Sequence, residues 1–301
     1  MREKRILVTG GTGFIGSNLV KRLLKEGAEV FVLARESSNF GRLNEVLGKV
    51  RFRISDLSDA AGLKKIVQEV KPDGVFHLGA TTIMSGFIAE QKMIKEVNVL
   101  GTKNLLEALS GIDYDFFINT STFTENADDD YAKSKREAAE FCINYAKKNA
   151  KPIVTLRLFT PYGPFIQKGR LIFNVLKKAM IGEDIEMTSP GVSRDFIYID
   201  DLVDLYFTAA ECAKENIGEA FNAGSGVKTT LKEVVDSAIS ITNSQSKVHW
   251  GTLPVVSYDS FDIQADISKT ISCLGWKPKT SFEEGLKKTY EWLKGNLHLY
   301  K

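Results

Sequence analysis

The sequence predicts an α/β fold: a doubly wound parallel sheet followed by a smaller C-terminal α/β lobe. Short apolar runs alternate with segments of helical periodicity through the first half of the chain, as in strands joined by crossover helices. The first strand breaks directly into a glycine-rich segment, residues 10–16, that opens a helix. After about residue 160 prolines and glycines loosen this order. We therefore expect residues 1–160 to form one domain, and residues 161–301 a lobe with some segments returning to the sheet.

The individual elements follow from these patterns. Apolar runs of strand length lie at residues 4–9, 30–33, 50–54, 74–78, 116–120 and 153–159. Apolar residues recur at helical spacing in the first domain at residues 15–24, 60–70, 93–109 and 131–148. Helical patterns in the second lobe occupy residues 171–181, 202–212, 231–241 and 282–293.

Composition excludes several classes of function. Apolar residues make up 43% of the 301 residues, the formal net charge is only +2, and no long basic stretch occurs, so we expect no nucleic-acid partner. Three widely spaced cysteines indicate a reducing compartment, and three histidines without ligand spacing indicate no metal site. No segment has signal-peptide character or membrane-spanning length. We expect a cytoplasmic protein that does not bind membranes.

The glycine-rich segment is predicted to bind the pyrophosphate of a dinucleotide. Glycines permit a tight turn and a close approach of backbone to phosphate. The N-terminus of the following helix favours an anion through its free N–H groups and macrodipole. The residues assigned to this contact are Gly10, Thr12, Gly13, Phe14, Ile15 and Gly16. The glycine spacing is G-x-x-G-x-x-G, and a glycine turn without a ligand is the alternative.

The end of the second strand favours NADP(H) over NAD(H). An acidic residue at this position binds the ribose 2′-hydroxyl of NAD in many doubly wound folds, but here Ala34 takes it and Arg35 follows. A guanidinium can pair bidentately with a 2′-phosphate. Arg35 as a solvated surface charge is the alternative, and Glu36 would partly oppose phosphate, so NAD(H) stays possible. Asp56 and Leu57 are placed to reach the adenine edge, although Asp56 suits a capping role equally.

Tyr131 and Lys135 form the candidate site of proton transfer. They lie four residues apart and so share one face of a helix. A tyrosine with an ordinary pKa near ~10 is a poor base at neutral pH, and a lysine ammonium one turn away favours its phenolate. The same lysine can hydrogen-bond the nicotinamide ribose. Thr122 or Ser121, at the end of the preceding strand, is expected to orient a substrate carbonyl.

An acidic run, residues 128–130, directly precedes Tyr131. Nearby carboxylates would raise the pKa of a tyrosine. Acids at a helix N-terminus are also ordinary capping and dipole partners. We expect these three aspartates to face solvent.

Taken together, these segments resemble the extended short-chain dehydrogenase/reductase family, the NAD(P)-dependent epimerase/dehydratase group that acts on nucleotide sugars. The likeness covers nearly the whole chain in the family's order. It is carried by GGTGFIG (10–16), DL (56–57), FHLGA (76–80), NVLGT (98–102), YAKSK (131–135), PYGP (161–164), RDFIYIDD (194–201) and FNAG (221–224).

The resemblance implies a Rossmann domain for the first part of the chain and specific roles for its residues. Tyr131 would be the catalytic acid/base, Lys135 its partner, and Thr122 or Ser121 the substrate-orienting hydroxyl. Arg194 would contact the diphosphate of a nucleotide sugar, which suits a bidentate donor. Further implied cofactor contacts are Leu78, Gly79, Ala80, Asn98 and Pro161. Further implied substrate contacts are Thr81 and Thr82. The resemblance also implies a homodimer.

Departures from the family's pattern narrow the expected reaction. Tyr131 follows Thr122 by only nine positions, the family's V-Y-G sequence is missing, and residues 123–124 read Phe-Thr instead of the acidic pair of 4,6-dehydratases. Dehydration needs an additional acid and base, so it is disfavoured. The short loop and the Leu-Ala-Arg of residues 33–35 look most like the CDP-paratose and CDP-abequose synthase branch. This likeness implies NADPH-dependent reduction of a CDP-linked 4-keto-deoxysugar at C4.

Two other functions stay open. A nucleotide-sugar 4-epimerase with tightly bound NAD would use the same groups. A non-catalytic dinucleotide-binding protein is the alternative of another class, and intact Tyr131 and Lys135 weigh against it. Val256 stands where the CDP-sugar branch often carries an arginine, so one diphosphate contact is missing or comes from Lys168 or Arg170.

Overall fold

A seven-stranded sheet confirms the predicted parallel α/β fold. The structure, a computed structural model, describes residues 1–81, 91–254 and 262–300. In chain order the strands are β1 (Arg5–Thr9), β2 (Glu29–Ala34), β3 (Arg51–Ile54), β4 (Gly74–His77), β5 (Phe116–Thr122), β6 (Ile153–Leu158), β7 (Thr160–Tyr162), β8 (Ile185–Met187), β9 (Ser193–Tyr198), β10 (Ala220–Ala223), β11 (Lys228–Thr230) and β12 (Val248–Trp250). The large sheet has the order β10-β6-β5-β4-β1-β2-β3. The change of direction beside β1 is the position at which doubly wound folds bind ligands.

Helices alternate with these strands. They are α1 (Phe14–Lys25), α2 (Ala60–Val70), α3 (Gln91–Lys95), α4 (Gly101–Ala108), α5 (Asp130–Asn149), α6 (Leu171–Ile181), α7 (Ile199–Glu211), α8 (Leu231–Thr242), α9 (Ser268–Leu274) and α10 (Phe282–Asn296). Short 3₁₀ segments occupy Gly41–Lys49, Phe123–Asn126 and Leu297–Tyr300. None of the described helices is long and apolar enough to cross a membrane.

The helix predicted at residues 93–109 is instead three pieces. A π-helical turn, Glu96–Leu100, separates α3 from α4. Within this segment the Thr102 hydroxyl donates to the carbonyl oxygen of Asn98 at 2.7 Å. Single π turns inside helices often mark functional sites, and this one carries Asn98, whose side chain takes part in the candidate site.

Apolar packing holds the helices against both faces of the large sheet. On one face α2, α4 and α5 bury residues such as Leu63, Leu105 and Ala146 against the strands. On the other face the ring of Phe76 in β4 lies 6.0 Å from that of Tyr206 in α7. Continuous burial of the central strands explains their near-uniform apolar sequence.

The chain divides into two compact units. The first comprises Met1–Leu158, Val203–Asn222 and Ser272–Trp276, and the second comprises Phe159–Leu202, Ala223–Ile271 and Lys277–Lys301. The second unit contains a sheet of order β11-β9-β7 and the pair β12-β8. The assignment of substrate binding to this second unit stays a prediction.

Candidate active site

The glycine turn after β1 has the close packing that a phosphate-binding loop requires. Gly10 has a φ of +68°, and a Cβ there would lie 2.7 Å from the carbonyl carbon of Leu78. A Cβ on Gly16 would clash with the carbonyl oxygen of Gly10. Gly13, the N-cap residue of α1, brings no side chain to cap the helix. The turn therefore leaves the start of α1 open to an anion, and its residues fit the pyrophosphate of a dinucleotide.

A chain of hydrogen bonds ties this turn to the end of β4. The Gly79 N–H donates to Thr9 Oγ1 at 2.9 Å, and Thr9 Oγ1 lies 2.8 Å from His77 Nδ1. His77 Nε2 lies 2.9 Å from Thr102 Oγ1. Because the Thr102 hydroxyl already donates to Asn98, it accepts the proton of Nε2, and Thr9 donates to Nδ1. His77 is thus a neutral, fully bonded core histidine.

His77→Gln is expected to make the free energy of unfolding fall less steeply as the pH is lowered. Burial, reinforced by the positive charge of Lys135, lowers the pKa of His77 from 6.5 to about 3. As pH falls between these values, the unfolded chain takes up a proton that the folded chain refuses. The stability contribution is therefore complete above about pH 6.5 and is lost toward pH 3. This single proton changes the free energy of unfolding by at most about 1.4 kcal/mol per pH unit.

Urea unfolding of both proteins from pH 7 to pH 4 tests this. The free energy of unfolding should fall less steeply in the variant, whatever its value at pH 7. His298→Gln, at an exposed position, is the matched control and should retain the wild-type slope. Equal slopes in wild type and His77→Gln would show that His77 is not the group responsible.

Asn98, predicted as a cofactor contact, holds the segment after β4 against α5. Its Oδ1 accepts the Thr81 N–H at 2.7 Å, and its Nδ2 donates to Thr81 O at 3.0 Å and to Ser134 Oγ at 2.9 Å. Ser134 in turn donates to the carbonyl oxygen of Tyr131 at 2.7 Å. The predicted contacts Leu78, Gly79, Ala80 and Thr81 therefore lie on a segment that is fixed relative to the Tyr131 turn of α5. Thr82, a predicted substrate contact, lies outside the described residues.

The acidic run before Tyr131 serves as the cap of α5. The Asp129 side chain accepts the Ala132 N–H at 2.8 Å. Asp128, whose side chain is 96% exposed, pairs with Lys133 at 2.6 Å. Two of these carboxylates are thus bound to the helix end or to a solvent-side lysine, as expected.

Lys135 is buried on α5, one turn after half-buried Tyr131. Burial lowers the pKa of the Lys135 ammonium from 10.5 to about 8, although Cys142 and the carboxylate of Glu125 act to raise it. The lysine therefore titrates close to neutral pH, and at pH 7 it still supplies a positive charge beside Tyr131.

The two candidate hydroxyls at the end of β5 differ in availability. Ser121 is 3% exposed, and its Oγ donates to Glu125 Oε1 at 2.5 Å. Thr122 is half-buried, accepts the Thr124 N–H at 3.2 Å, and lies 3.0 Å from Thr124 Oγ1. The hydroxyl of Ser121 is thus committed to a buried carboxylate. When Thr124 donates to Thr122, the Thr122 proton is free for another acceptor.

Glu125 is the residue of this site that sequence reasoning missed. A lone glutamate in a polar loop reads as a surface charge, and no local pattern signals that it is buried. Its partner Arg157 lies on the next strand, β6, 32 positions away in sequence. Only the register of Ser121 against Arg157 across β5 and β6 brings the two together.

The turn after β2 presents Arg35 to solvent. The Arg35 N–H donates to Ser38 Oγ at 2.9 Å, and the Ser38 N–H donates back to Arg35 O at 3.0 Å. After β3, Asp56 Oδ1 accepts the N–H and the hydroxyl of Ser58 at 2.9 and 2.7 Å. Asp56 therefore stabilises a local turn, while buried Leu57 packs beside Gly79.

The remaining predicted residues belong to the second unit. Arg194 is buried on β9 and donates through Nη1 to the Ser193 carbonyl at 2.9 Å. Pro161 is half-buried in β7, and Lys168 and Arg170 are exposed. Val256 lies outside the described residues.

The parallel sheet, the glycine turn and the Tyr131–Lys135 pair define a dinucleotide-binding α/β protein of the short-chain dehydrogenase/reductase type. The model of the NAD dependent epimerase/dehydratase family matches residues 6–224. The chain belongs to this family, and it is an enzyme of the extended short-chain dehydrogenase/reductase type. The resemblance inferred from the sequence motifs is confirmed.

Individual relatives are similar over almost the whole chain. The CDP-abequose synthase of Salmonella muenchen is 30% identical over 302 residues, which cover 95% of this chain and 97% of the relative. The solved epimerase Mth375 of Methanothermobacter thermautotrophicus is 27% identical with a TM-score of 0.89, covering 99% of this chain and 94% of that one. The UDP-glucuronic acid 4-epimerase of Bacillus cereus, solved with UDP-glucuronic acid and NAD, is 27% identical with a TM-score of 0.83. The match covers 96% of this chain and 99% of that one.

Proposed function

We propose that this enzyme uses a nicotinamide dinucleotide to reduce the 4-keto group of a nucleotide-diphosphate deoxysugar. The main observation that supports this function is the short connection between β5 and α5. Of the three acids in this connection, Glu125 is buried and pairs with Arg157 at 2.6 Å, Asp128 pairs with Lys133, and Asp129 caps α5. The end of β5 therefore offers a hydroxyl to the substrate, and no carboxylate stands at residues 123–124 for removing water across two sugar carbons.

The chain's own groups suffice for the proton side of this reaction. The bound cofactor supplies the hydride that reduces C4. Thr122 donates a hydrogen bond to the ketone oxygen and stabilises the charge that develops there. Tyr131 gives its phenolic proton to the forming alkoxide, so the product is a neutral alcohol. The Lys135 ammonium stabilises the phenolate that this transfer leaves behind.

The proposed substrate is a nucleotide-diphosphate sugar, with a CDP-linked sugar as the first choice. The similarity to a CDP-abequose synthase supports the cytidine base. Arg194, a buried guanidinium on β9, is the proposed diphosphate contact, because a planar fork of donors suits phosphate oxygens. Lys168 or Arg170 is the proposed source of a further contact. A homodimer is proposed from family resemblance alone.

The proposed cofactor is NADP(H), with NAD(H) as the alternative. Ala34 fills the position of the usual acid, and Arg35 follows it on an exposed turn. The NAD found with the solved Bacillus cereus relative supports NAD(H) instead.

Arg35→Gln is expected to lower kcat/KM for NADPH by about 10- to 100-fold, the typical loss of a charge-assisted hydrogen bond. The value for NADH should change little, because NADH has no 2′-phosphate. Steady-state kinetics with both cofactors measure this. Arg2→Gln, at an exposed position far from β2 in sequence, is the control. Equal losses with NADPH and NADH would contradict the assignment.

A turnover panel tests the proposed function as a whole. CDP-, UDP- and dTDP-linked 4-keto-6-deoxysugars are incubated with NADPH or NADH, and cofactor oxidation is followed at 340 nm. The proposal requires net oxidation with at least one substrate. Absence of oxidation with every member of the panel would reject it.

A 4-epimerase is the second candidate, favoured by the similarity to solved epimerases. An epimerase returns the hydride to its own substrate. It would interconvert unreduced nucleotide sugars without added cofactor and would purify with bound NAD. Saturable cofactor binding without any turnover would instead indicate a non-catalytic protein.

A further inference from the structure

Glu125 is a buried carboxylate at the centre of the active-site turn, the 3₁₀ segment Phe123–Asn126. Its side chain is 10% exposed, and Oε2 accepts Arg157 Nε at 2.6 Å. Oε1 accepts the hydroxyl of Ser121 at 2.5 Å. Its backbone oxygen accepts Arg136 Nη1 at 3.0 Å. One residue thus ties together β5, β6 and α5.

These contacts decide which way the end of β5 faces. The side chains of successive residues point to opposite sides of a strand, so Ser121 and Thr122 face opposite ways. Glu125 holds Ser121 on the buried side, and the Ser121 hydroxyl also lies 3.4 Å from the carbonyl oxygen of Lys135. Thr122 then caps the active-site turn from the other side.

We propose that Glu125 is a positioning residue for the reduction. It commits the Ser121 hydroxyl to the interior, anchors the active-site turn to Arg157, and leaves Thr122 as the hydroxyl that meets the substrate oxygen. It also places a fixed negative charge near Lys135. The inference rests on the proposed reductase function for its kinetic tests, but not for the titration of Lys135.

The negative charge of Glu125 affects the pKa of Lys135. The titratable groups around Lys135 are His77 from β4, Glu125 from the active-site turn, and Tyr131 and Cys142 from α5. Glu125 itself faces Arg136 and Arg157. The negative charge of Glu125 raises the pKa of Lys135, against the larger lowering by burial, to a final value of about 8. Removing that charge must lower the pKa of Lys135 further.

The test is Glu125→Gln, which keeps the shape of the side chain and removes its charge. We expect kcat for reduction to fall about tenfold or more with KM changed less than about threefold, since the substrate site itself is intact. The alkaline limb of kcat/KM against pH should move to lower pH by about 0.5 to 1 unit. Glu140→Gln, at an exposed position of α5, the helix that carries Lys135, is the matched control and should keep the wild-type profile.

Two further variants separate positioning from general loss of structure. If Glu125 acts through Ser121, the effects of Ser121→Ala and Glu125→Gln on kcat will not add in the double variant. Removing the carboxylate alone leaves the half-buried Arg157 without this partner, which lowers stability. Glu125→Gln/Arg157→Gln removes both charges of the ion pair. It should fold and show the same loss of kcat and the same displaced alkaline limb.

Wild-type kcat and pH profile in Glu125→Gln would overturn the proposal. So would a loss of kcat that adds fully to that of Ser121→Ala with an unmoved alkaline limb, because that combination indicates a structural role only. The ¹³C NMR titration of reductively methylated lysines reads the pKa of Lys135 without any substrate. If wild type reduces no member of the panel, the proposed function fails. In that case a lowered Lys135 pKa in Glu125→Gln still supports the electrostatic role, and an unchanged pKa rejects it.

Discussion

Tyr131→Phe is expected to lower kcat for keto-sugar reduction by about 10²- to 10⁴-fold, the usual contribution of a positioned general acid. Phenylalanine keeps the ring of Tyr131 and removes the phenolic hydroxyl, whose proton would reach the C4 alkoxide. The Ser134 hydrogen bond goes to the backbone of residue 131 and is unaffected by the substitution. Fold and cofactor binding should therefore be retained.

Single-turnover kinetics with a saturating keto-sugar nucleotide measure the loss, and cofactor fluorescence titration checks binding. Tyr290→Phe on α10, which removes a phenol in the second unit, is the matched control and should be fully active. Retention of more than about one tenth of wild-type kcat in Tyr131→Phe would remove Tyr131 from the proposed mechanism.

Gly16→Ala is expected to abolish cofactor binding at concentrations that saturate wild type. The added Cβ would meet the carbonyl oxygen of Gly10 and would lie 2.8 Å from the Cα of Gly11. These are backbone atoms, so no side-chain rotation can relieve the overlap. The glycine turn must shift at its narrowest point, at a typical cost of about 1–3 kcal/mol in stability. The same shift displaces the N–H groups that face the phosphate.

Isothermal titration with NADPH and NADH, together with thermal unfolding, measures both effects of Gly16→Ala. Gly295→Ala is the helical control, because nothing lies within 4 Å of a Cβ placed there. Its unfolding free energy should stay level or rise by about 0.4–1 kcal/mol. Wild-type affinity and melting temperature in Gly16→Ala would show that the packing of Gly16 on Gly10 is not required.

Local pattern was sufficient to predict most of the fold. Buried parallel strands are continuously apolar, so β1, β2, β4 and β5 could be recognised from their runs of apolar residues. Helices α2 and α6 have the predicted bounds, because apolar residues recur at helical spacing through both. The π turn at Glu96–Leu100 was missed, since its apolar spacing resembles that of an ordinary helix.

Contacts between distant segments account for what the sequence did not predict at the site. The Tyr131–Lys135 spacing and the glycine turn are local features and were readable. The burial of Glu125 depends on Arg157, which reaches it only through strand pairing. The tautomer of His77 depends on Thr9 and Thr102, which lie on separate elements. Long-range hydrogen bonds of this kind leave no periodic signature in the chain.

The transfer of deuterium to the sugar tests the central claim most directly. A CDP-linked 4-keto-6-deoxysugar is incubated with (4R)- or (4S)-[4-²H]NADPH, and the product is analysed by mass spectrometry and NMR. Reduction predicts one deuterium at C4 from one of the two labelled cofactors, with one NADPH oxidised per product formed. Interconversion of nucleotide sugars without deuterium incorporation and without net oxidation of NADPH would contradict the reductase assignment.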